Sequence, residues 1–489
     1  MISKQYKAIF SYTGFILFIP GLLMLTPILA LCVYPHEIIY SQGFILPSAV
    51  LMITGICFWK GFRPDIYPAL NFREGGIIVV SSWIIACTVS AYPFMNILKL
   101  NFTQAVFESV SGLTTTGLSV VDVTAAPKII LLWRSIIQLA GGAGLAIIML
   151  AAIAGPSGTG ISSAEGRSDQ LVPHVRKSAK LVLLIYTGYA VTGTIAYVLV
   201  GMNLFDAINH AFAAISTGGF STRVENIGYW DSPAIEAVSI CLMILGNLNF
   251  MTAYLLFTGK FRSVFRNCEI RLFAVSATVS VVLLYFFVCK DQYVIPDKAI
   301  RVALFEVITA LTTTGFSTVG YSEWNAMGLH IMITLMLIGG GTCSTAGAIK
   351  QYRVYLLFKS VIWEIEKALL PRTAVISHTV WIGERKEYID SERIQQVAVF
   401  LFFYLSVFAL GTGILTGYGY GLKESLFEFA SSLGTVGISI GITNANAPSG
   451  VLWTETIGMF MGRLEFFVIF ISFAKILRDF SDKCCRFAK

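Results

Sequence analysis

The stretch LTTTGLS at Leu113–Ser119 returns three more times, as STGGFST at Ser216–Thr222, LTTTGFST at Leu311–Thr318 and LGTVGIS at Leu433–Ser439. Aligned on their shared glycine, the phrases place Gly117, Gly219, Gly315 and Gly437 in one register. Nine residues before these glycines stand Glu108, His210, Glu306 and Glu428, and Phe107, Phe305 and Phe427 precede the three glutamates. One Thr-Thr-Thr-Gly is what a flexible loop tip looks like, because small polar residues and glycine mark turns. Four copies, each between a short apolar run and a longer one, describe four similar walls around one hole.

Working outward, hydrophobic residues make up 56% of the 489 and charged residues only 13%, with a mean hydropathy of +0.74. A soluble domain needs a larger charged fraction, so the chain reads as an all-α polytopic membrane protein. Ten spans are expected, near 10–32, 40–59, 77–98, 130–154, 178–200, 234–258, 270–289, 328–349, 394–416 and 451–474. The second and eighth are the weakest as plain helices. Four shorter apolar runs, near 102–112, 204–215, 300–311 and 423–433, lead straight into the four phrases. They are too short to cross a bilayer. Re-entry suits them, because non-helical backbone is tolerated at membrane depth where it lines a cavity.

Charge sets the orientation. The N-terminus, 59–76, 155–180, 259–271, 350–393 and the tail from Lys475 hold 26 of the 35 Lys and Arg residues, and the opposite side holds seven. The positive-inside rule then places both termini in the cytoplasm and the phrases toward the outer face. The net charge of +7 follows from this topology and is no nucleic-acid signal. The first apolar run is long enough to be a retained span rather than a cleaved signal. Nine cysteines show no metal-ligand spacing, and no catalytic constellation or nucleotide-binding motif such as GxxxxGK[ST] or GxGxxG is present.

After a two-span region with its loop (1–76), the chain divides into four pore units with their connectors, 77–177, 178–269, 270–393 and 394–489. A second landmark supports this division. Gly142, Gly340 and Gly462 each lie 25 residues after the phrase glycine, and Gly246 lies 27 after it. The parallel order of elements suits a pseudo-fourfold pore along the membrane normal. A dehydrated cation needs several close oxygen ligands, which rings of backbone carbonyls supply, and glycine permits the backbone that such a ring requires. Thr116–Gly117, Gly218–Gly219, Thr314–Gly315 and Val436–Gly437 are the candidate filter residues. The double glycine in the second phrase and Gly434-Thr435-Val436-Gly437 in the fourth make the ring irregular. For Glu108, Glu306 and Glu428 two readings stand open: an electrostatic bias toward cations if exposed, or buried acceptors that hold the loop amides.

Two features lie below the phrases. Gly339-Gly340-Gly341-Thr342-Cys343-Ser344-Thr345-Ala346-Gly347 interrupts the eighth span with residues that disfavour helix. It reads either as close helix packing through small residues or as an intramembrane loop obstructing the pore, and three consecutive glycines favour the loop. Arg463 at membrane depth faces either a local ion pair with Glu465 or the pore, where it would repel cations. Arg134 is expected to snorkel to the outer interface. The connector part Lys359–Leu370 reads as an interfacial amphipathic helix or as a continuation of the span before it.

The four phrases, GGGTCSTAGAIK at Gly339–Lys350 and GRLEFF at Gly462–Phe467 together resemble the TrkH/KtrB/HKT superfamily of potassium transporters. The resemblance covers nearly the whole chain, and the two extra N-terminal spans favour the bacterial TrkH branch. It implies potassium uptake across the inner membrane of a bacterium, with the four glycines lining the filter. The stretch Gly339–Gly347 would be the gate, with Arg463 beneath the filter. It also implies a homodimer with one ion path per protomer and a ring of cytoplasmic TrkA-like subunits that carry the regulatory nucleotide; this chain itself needs no cofactor. Passage of Rb+ or Na+, sodium- or proton-coupled symport, and weakly selective monovalent cation conduction remain alternatives. A non-transporting receptor is the reading from another class.

Overall fold

The computed structural model describes residues 4–65, 72–144, 175–371 and 378–487. Two N-terminal helices, Lys4–Leu23 and Gln42–Gly61, pack at a glycine crossing. A side chain at Gly14 would strike the Gly55 carbonyl, and one at Gly55 would strike the Gly14 carbonyl 2.8 Å away. Small residues here let the backbones approach, which is the usual basis of helix pairing in lipid. Glu37, in the 3₁₀ turns joining the pair, accepts the Lys128 and Ile129 amides at 2.8 Å each. It thereby satisfies the free N–H groups that open the Lys128–Ala143 helix, tying the N-terminal pair to the first pore unit.

Among the described residues, six helical stretches are long and apolar enough to span a bilayer: Gln5–Cys32, Gln42–Gly61, Arg73–Ile97, Lys180–Leu199, Cys268–Gln292 and Ser391–Gly417. The sixth and tenth expected spans differ from plain helices. Pro233–Asn247 and Phe250–Phe257 meet at 115°, and Ser449–Leu464 and Phe466–Asp479 meet at 98°. Asn249 caps the second half of one pair through the Met251 amide, and Glu465 at φ +59° turns the chain in the other. The eighth span stops early. Its helix runs only over Ala326–Ile338, then Gly339 at φ +68° ends it. The fourth is helical over Lys128–Ala143, and the rest of that expectation, with 155–174, lies outside the described residues.

Between these stand four short helices, Phe102–Leu113, Leu204–Ile215, Pro296–Leu311 and Leu422–Leu433. Three have twelve residues and reach about 18 Å, and Pro296–Leu311 has sixteen and reaches about 24 Å, all short of a hydrocarbon core of about 30 Å. Asn101 and Asn203 cap two of them, Asn101 within a capping box with Gln104, and Pro296 opens a third.

The connector after the third unit continues as a helix, Gln351–Leu369, and then departs from an all-α expectation. Thr379–Ile382 and Arg385–Tyr388 form an antiparallel hairpin. Val380, Ile389, Leu356, Trp363 and Val397 join these elements in a small core of their own. The opposite face of the helix leaves Phe358, Val361 and Ile365 exposed, as a lipid-facing surface would.

Candidate functional site

All four short helices end in the same way. The Thr116, Gly218, Thr314 and Val436 amides bond the Ser111, Ala213, Thr309 and Ser431 carbonyls at 2.8–3.0 Å. The Thr115, Thr217, Thr313 and Thr435 amides bond the Gly112, Ala214, Ala310 and Ser432 carbonyls at 3.0–3.2 Å. This is the double closure of a Schellman cap, whose left-handed position usually holds glycine. Here it holds threonine every time, at φ +52° to +58°. A β-branched residue in that region is a true outlier and marks imposed strain. The threonines were legible: Thr-x-Gly is common to all four phrases. Sequence reasoning fixed on the glycine and the residue before it instead.

Two residues later the backbone turns left again, at Gly117 (φ +99°), Gly219 (+74°), Gly315 (+80°) and Gly437 (+94°). These glycines have a second constraint. A Cβ on Gly117 would meet the Gly218 carbonyl oxygen, and one on Gly219 the Thr314 oxygen. On Gly315 it would meet the Val436 oxygen, and on Gly437 the Thr116 oxygen. The contacts run first to second to third to fourth and back to first, so the four strands close a ring within one chain. The ring contains every candidate filter residue. Around it the helices present their carbonyl ends, the negative pole of the helix dipole.

The ring is irregular in its second strand. Gln138, fully buried, donates to the Gly218 carbonyl and accepts the Phe220 amide at 3.2 Å, while Asn226 donates to the Gly219 carbonyl at 3.2 Å. No repeat pattern announced these two side chains.

Glu108, His210, Glu306 and Glu428 are 0% exposed, which leaves the structural reading of their role. Glu108 accepts the Val120 amide at 3.0 Å, Glu306 the Thr318 amide at 2.9 Å and Glu428 the Ile440 amide at 2.9 Å. In the second unit His210 Nδ1 meets the Asp206 carbonyl at 2.7 Å, so the proton sits on Nδ1 and Nε2 accepts from Ser221 Oγ at 2.9 Å. A neutral imidazole thus supplies the same kind of acceptor as the carboxylates. Arg134 does not snorkel; it is 2% exposed. Its guanidinium binds Glu108 at 2.8 Å, Ser119 at 2.9 Å and the Ser221 carbonyl at 3.0 Å, and stacks on Phe220 at 3.9 Å, joining two strands from behind.

Beneath the ring runs the loop 339–350. Thr345 Oγ1 donates to the Gly246 carbonyl at 2.9 Å and lies 3.1 Å from the Thr217 hydroxyl; the Gly347 amide donates to Thr313 Oγ1 at 2.9 Å. A side chain on Gly347 would strike Thr435 Oγ1 and the Gly434 carbonyl. The loop therefore lies against the left-handed threonines of three strands. Glu269 grips its far edge, accepting the Thr342 amide and hydroxyl at 2.7 Å each, and Gly341 bonds the Asn247 carbonyl at 3.3 Å. Ser344 Oγ closes the turn onto the Gly341 carbonyl at 2.6 Å, and Gln351 donates to the Gly339 carbonyl at 3.0 Å and, through its amide, to the Gly340 carbonyl at 2.8 Å. Arg463 comes from the fourth unit and donates to the Thr345 and Gly141 carbonyls at 2.6 Å each. Of the two readings of Arg463, the local pair with Glu465 is not formed: Glu465 pairs with Arg353 at 2.8 Å instead, and the backbone makes a left-handed turn at Glu465 (φ +59°).

The second landmark needs one adjustment. Gly246 and Gly462 pass so close to the Ile215 and Leu433 carbonyls that no side chain fits, and in the first unit Gly141 rather than Gly142 meets Leu113 in this way. The third unit lacks the contact because its span has unwound into the loop.

The family model for the TrkH cation transport proteins matches residues 51–483. An uncharacterised cation transporter of Methanocaldococcus jannaschii is 29% identical over 97% of both chains. The potassium uptake protein TrkH of Escherichia coli is 30% identical, over 96% of this chain and 98% of its own. The crystal structure of the potassium transporter TrkH from Vibrio parahaemolyticus superposes with a TM-score of 0.84 at 28% identity, covering 96% of this chain and 98% of that one. With ring, loop and matching length together, the chain belongs to the TrkH family of multi-pass cation transport proteins.

Proposed function

We propose that this protein carries potassium into the cell through the four-strand ring, in a conformation closed from below by the 339–347 loop and Arg463. The observation that carries the reading is the cyclic approach of each phrase glycine to the preceding residue's carbonyl in the next unit. That arrangement sets backbone oxygens from Thr116, Gly218, Thr314 and Val436 around one axis, where they can replace a hydration shell. Membrane potential supplies about 2.3 kcal/mol per charge per 100 mV, so uptake needs no chemistry in this chain. The relatives' potassium transport supports the same substrate.

The fourfold division at 77–177, 178–269, 270–393 and 394–489 is the domain organisation that goes with this reading. Both termini face the cytoplasm of a bacterium, the protein sits in the inner membrane, and a homodimer carries one path per protomer. TrkA-like cytoplasmic subunits with bound nucleotide act on the loop through the connector. A weakly selective monovalent cation pathway, passing Rb+ or Na+ with K+, is the second reading. It is favoured by Gln138 and Asn226, which occupy the second-strand carbonyls that an ideal ring would leave free. Rubidium uptake into proteoliposomes at an imposed voltage tests the proposal: saturable uptake displaced by K+ supports it, and absence of any cation flux with the cytoplasmic partner present removes it.

A further inference from the structure

In the first unit, the helix after the phrase offers Arg134 to the buried Glu108. In the fourth unit, the corresponding helix offers a second acid. Glu455 is 0% exposed, as is Glu428, and the Thr443 hydroxyl lies between them. Thr443 Oγ1 is 2.5 Å from Glu428 Oε1, and 3.2 and 3.1 Å from Glu455 Oε1 and Oε2. Among the described residues, no Lys or Arg forms an ion pair with either carboxyl.

Proton counting separates the two acids. Glu428 already accepts from Ser439 Oγ at 2.6 Å, the Thr443 amide at 3.0 Å and the Ile440 amide at 2.9 Å. Backbone amides can only donate, so both Glu428 oxygens act as acceptors, the role of an ionised carboxylate. Thr443 has one hydroxyl proton, and the shorter contact spends it on Glu428. Its oxygen then has lone pairs to offer Glu455, whose carboxyl can bond it only by donating. Two adjacent ionised carboxylates in a dry site repel strongly, and the burial of an uncompensated charge is costly.

Other titratable groups on the packed elements do not compensate Glu455. The first short helix brings Glu108, already held by Arg134. The fourth brings Lys423 and Glu424, which pair with each other at 3.3 Å. Ser391–Gly417 brings Tyr404, with Glu392 and Arg393 in its first turn; the last helix brings Lys475, Arg478 and Asp479; and Arg463, on Glu455's own helix Ser449–Leu464, is turned to the loop. Glu428 is the charged group that acts on Glu455.

We infer that Glu455 is a protonated positioning residue, holding the fourth strand of the ring in place through Thr443 and Glu428. The inference rests on the ring being the ion path. The proton makes a relay from Glu455 O–H to Thr443 Oγ–H to Glu428, which in turn holds Ser439 and Ile440 just beyond Gly437. Loss of the proton in alkali puts two negative charges on the relay and pushes the strand out of register, so flux falls as pH rises.

Two measurements on the full-length protein in liposomes decide the matter. Infrared spectroscopy at neutral pH should show the C=O stretch of a protonated carboxyl that is missing in Glu455→Gln and displaced in Thr443→Val. Rubidium flux, taken as the alkaline-to-neutral ratio within each variant, should fall several-fold for the wild type and stay near one for Glu455→Gln, which keeps a donor and cannot ionise. Absence of the band, or its persistence in Glu455→Gln, overturns the protonation. An alkaline loss of the same size in Glu455→Gln overturns the positioning role. If the wild type carries no cation at all, the proposed function fails while the infrared result still decides the proton.

Discussion

Gly315 has two separate reasons to be glycine: a left-handed φ of +80° and the Val436 oxygen standing where a Cβ would go. Alanine in a left-handed conformation costs about 1–2 kcal/mol, and the clash adds to it by displacing a ring oxygen. Gly315→Ala should therefore lower rubidium uptake by about tenfold or more, the factor that 1.4 kcal/mol represents. Gly320→Ala, at a glycine with open space around it and no left-handed φ, is the matched control and should leave uptake unchanged. Arg134→Met makes a different prediction. It leaves Glu108 buried without its cation, and breaking such a pair costs about 3–5 kcal/mol. The melting temperature of the purified protein should drop sharply, and Glu108→Leu added to Arg134→Met should recover much of it. The glycines were readable from the sequence because their requirement is local. Arg134 was not, because snorkelling and burial differ only in where the helix starts relative to the Glu37 cap, a contact 91 residues away in the chain.

At the level of elements, the 339–350 loop is held rather than slack: Glu269, Asn247, Thr313 and Arg463 each bond it. An obstruction that is held shut opens when its bonds are removed. Glu269→Gln weakens the grip on Thr342, and Arg463→Gln removes a charge along with two strong bonds, since hydrogen bonds from ionised groups are roughly twice as strong as neutral ones. Both should raise flux measured without the cytoplasmic partner, Arg463→Gln by more; unchanged flux in folded protein would count against the blocking role. Gly347→Ala pushes the loop off Thr435 and should act in the same direction. The loop's existence was plain from three glycines in an apolar run. Its partners were hidden, because they come from the second, third and fourth units and no local pattern encodes which carbonyl a hydroxyl will meet. The bends at Asn247–Phe250 and Glu465 were hidden for the same reason: apolar length reads as a span whether or not the backbone turns within it.

For the molecule as a whole, the ring closes within one chain, so a dimer should contain two independent paths. Mixing wild-type subunits with Gly315→Ala subunits tests this. Flux should fall in proportion to the mutant fraction, whereas a path shared between protomers would fall more steeply. The fourfold order was legible because it rests on repetition along the whole chain, which averages out local ambiguity. The connector hairpin was not, because four-residue strands in a polar loop leave little pattern to read.

The central claim is that one chain builds a potassium-selective ring from four Thr-x-Gly strands. Reversal potentials in proteoliposomes with K+ on one side and Na+ on the other test it most directly. The account predicts a potential near that of K+ for the wild type and movement toward zero in Gly315→Ala, whose side chain displaces the Val436 ring oxygen. A wild-type potential set by Na+, or one indifferent to which of the two ions is graded, would contradict it.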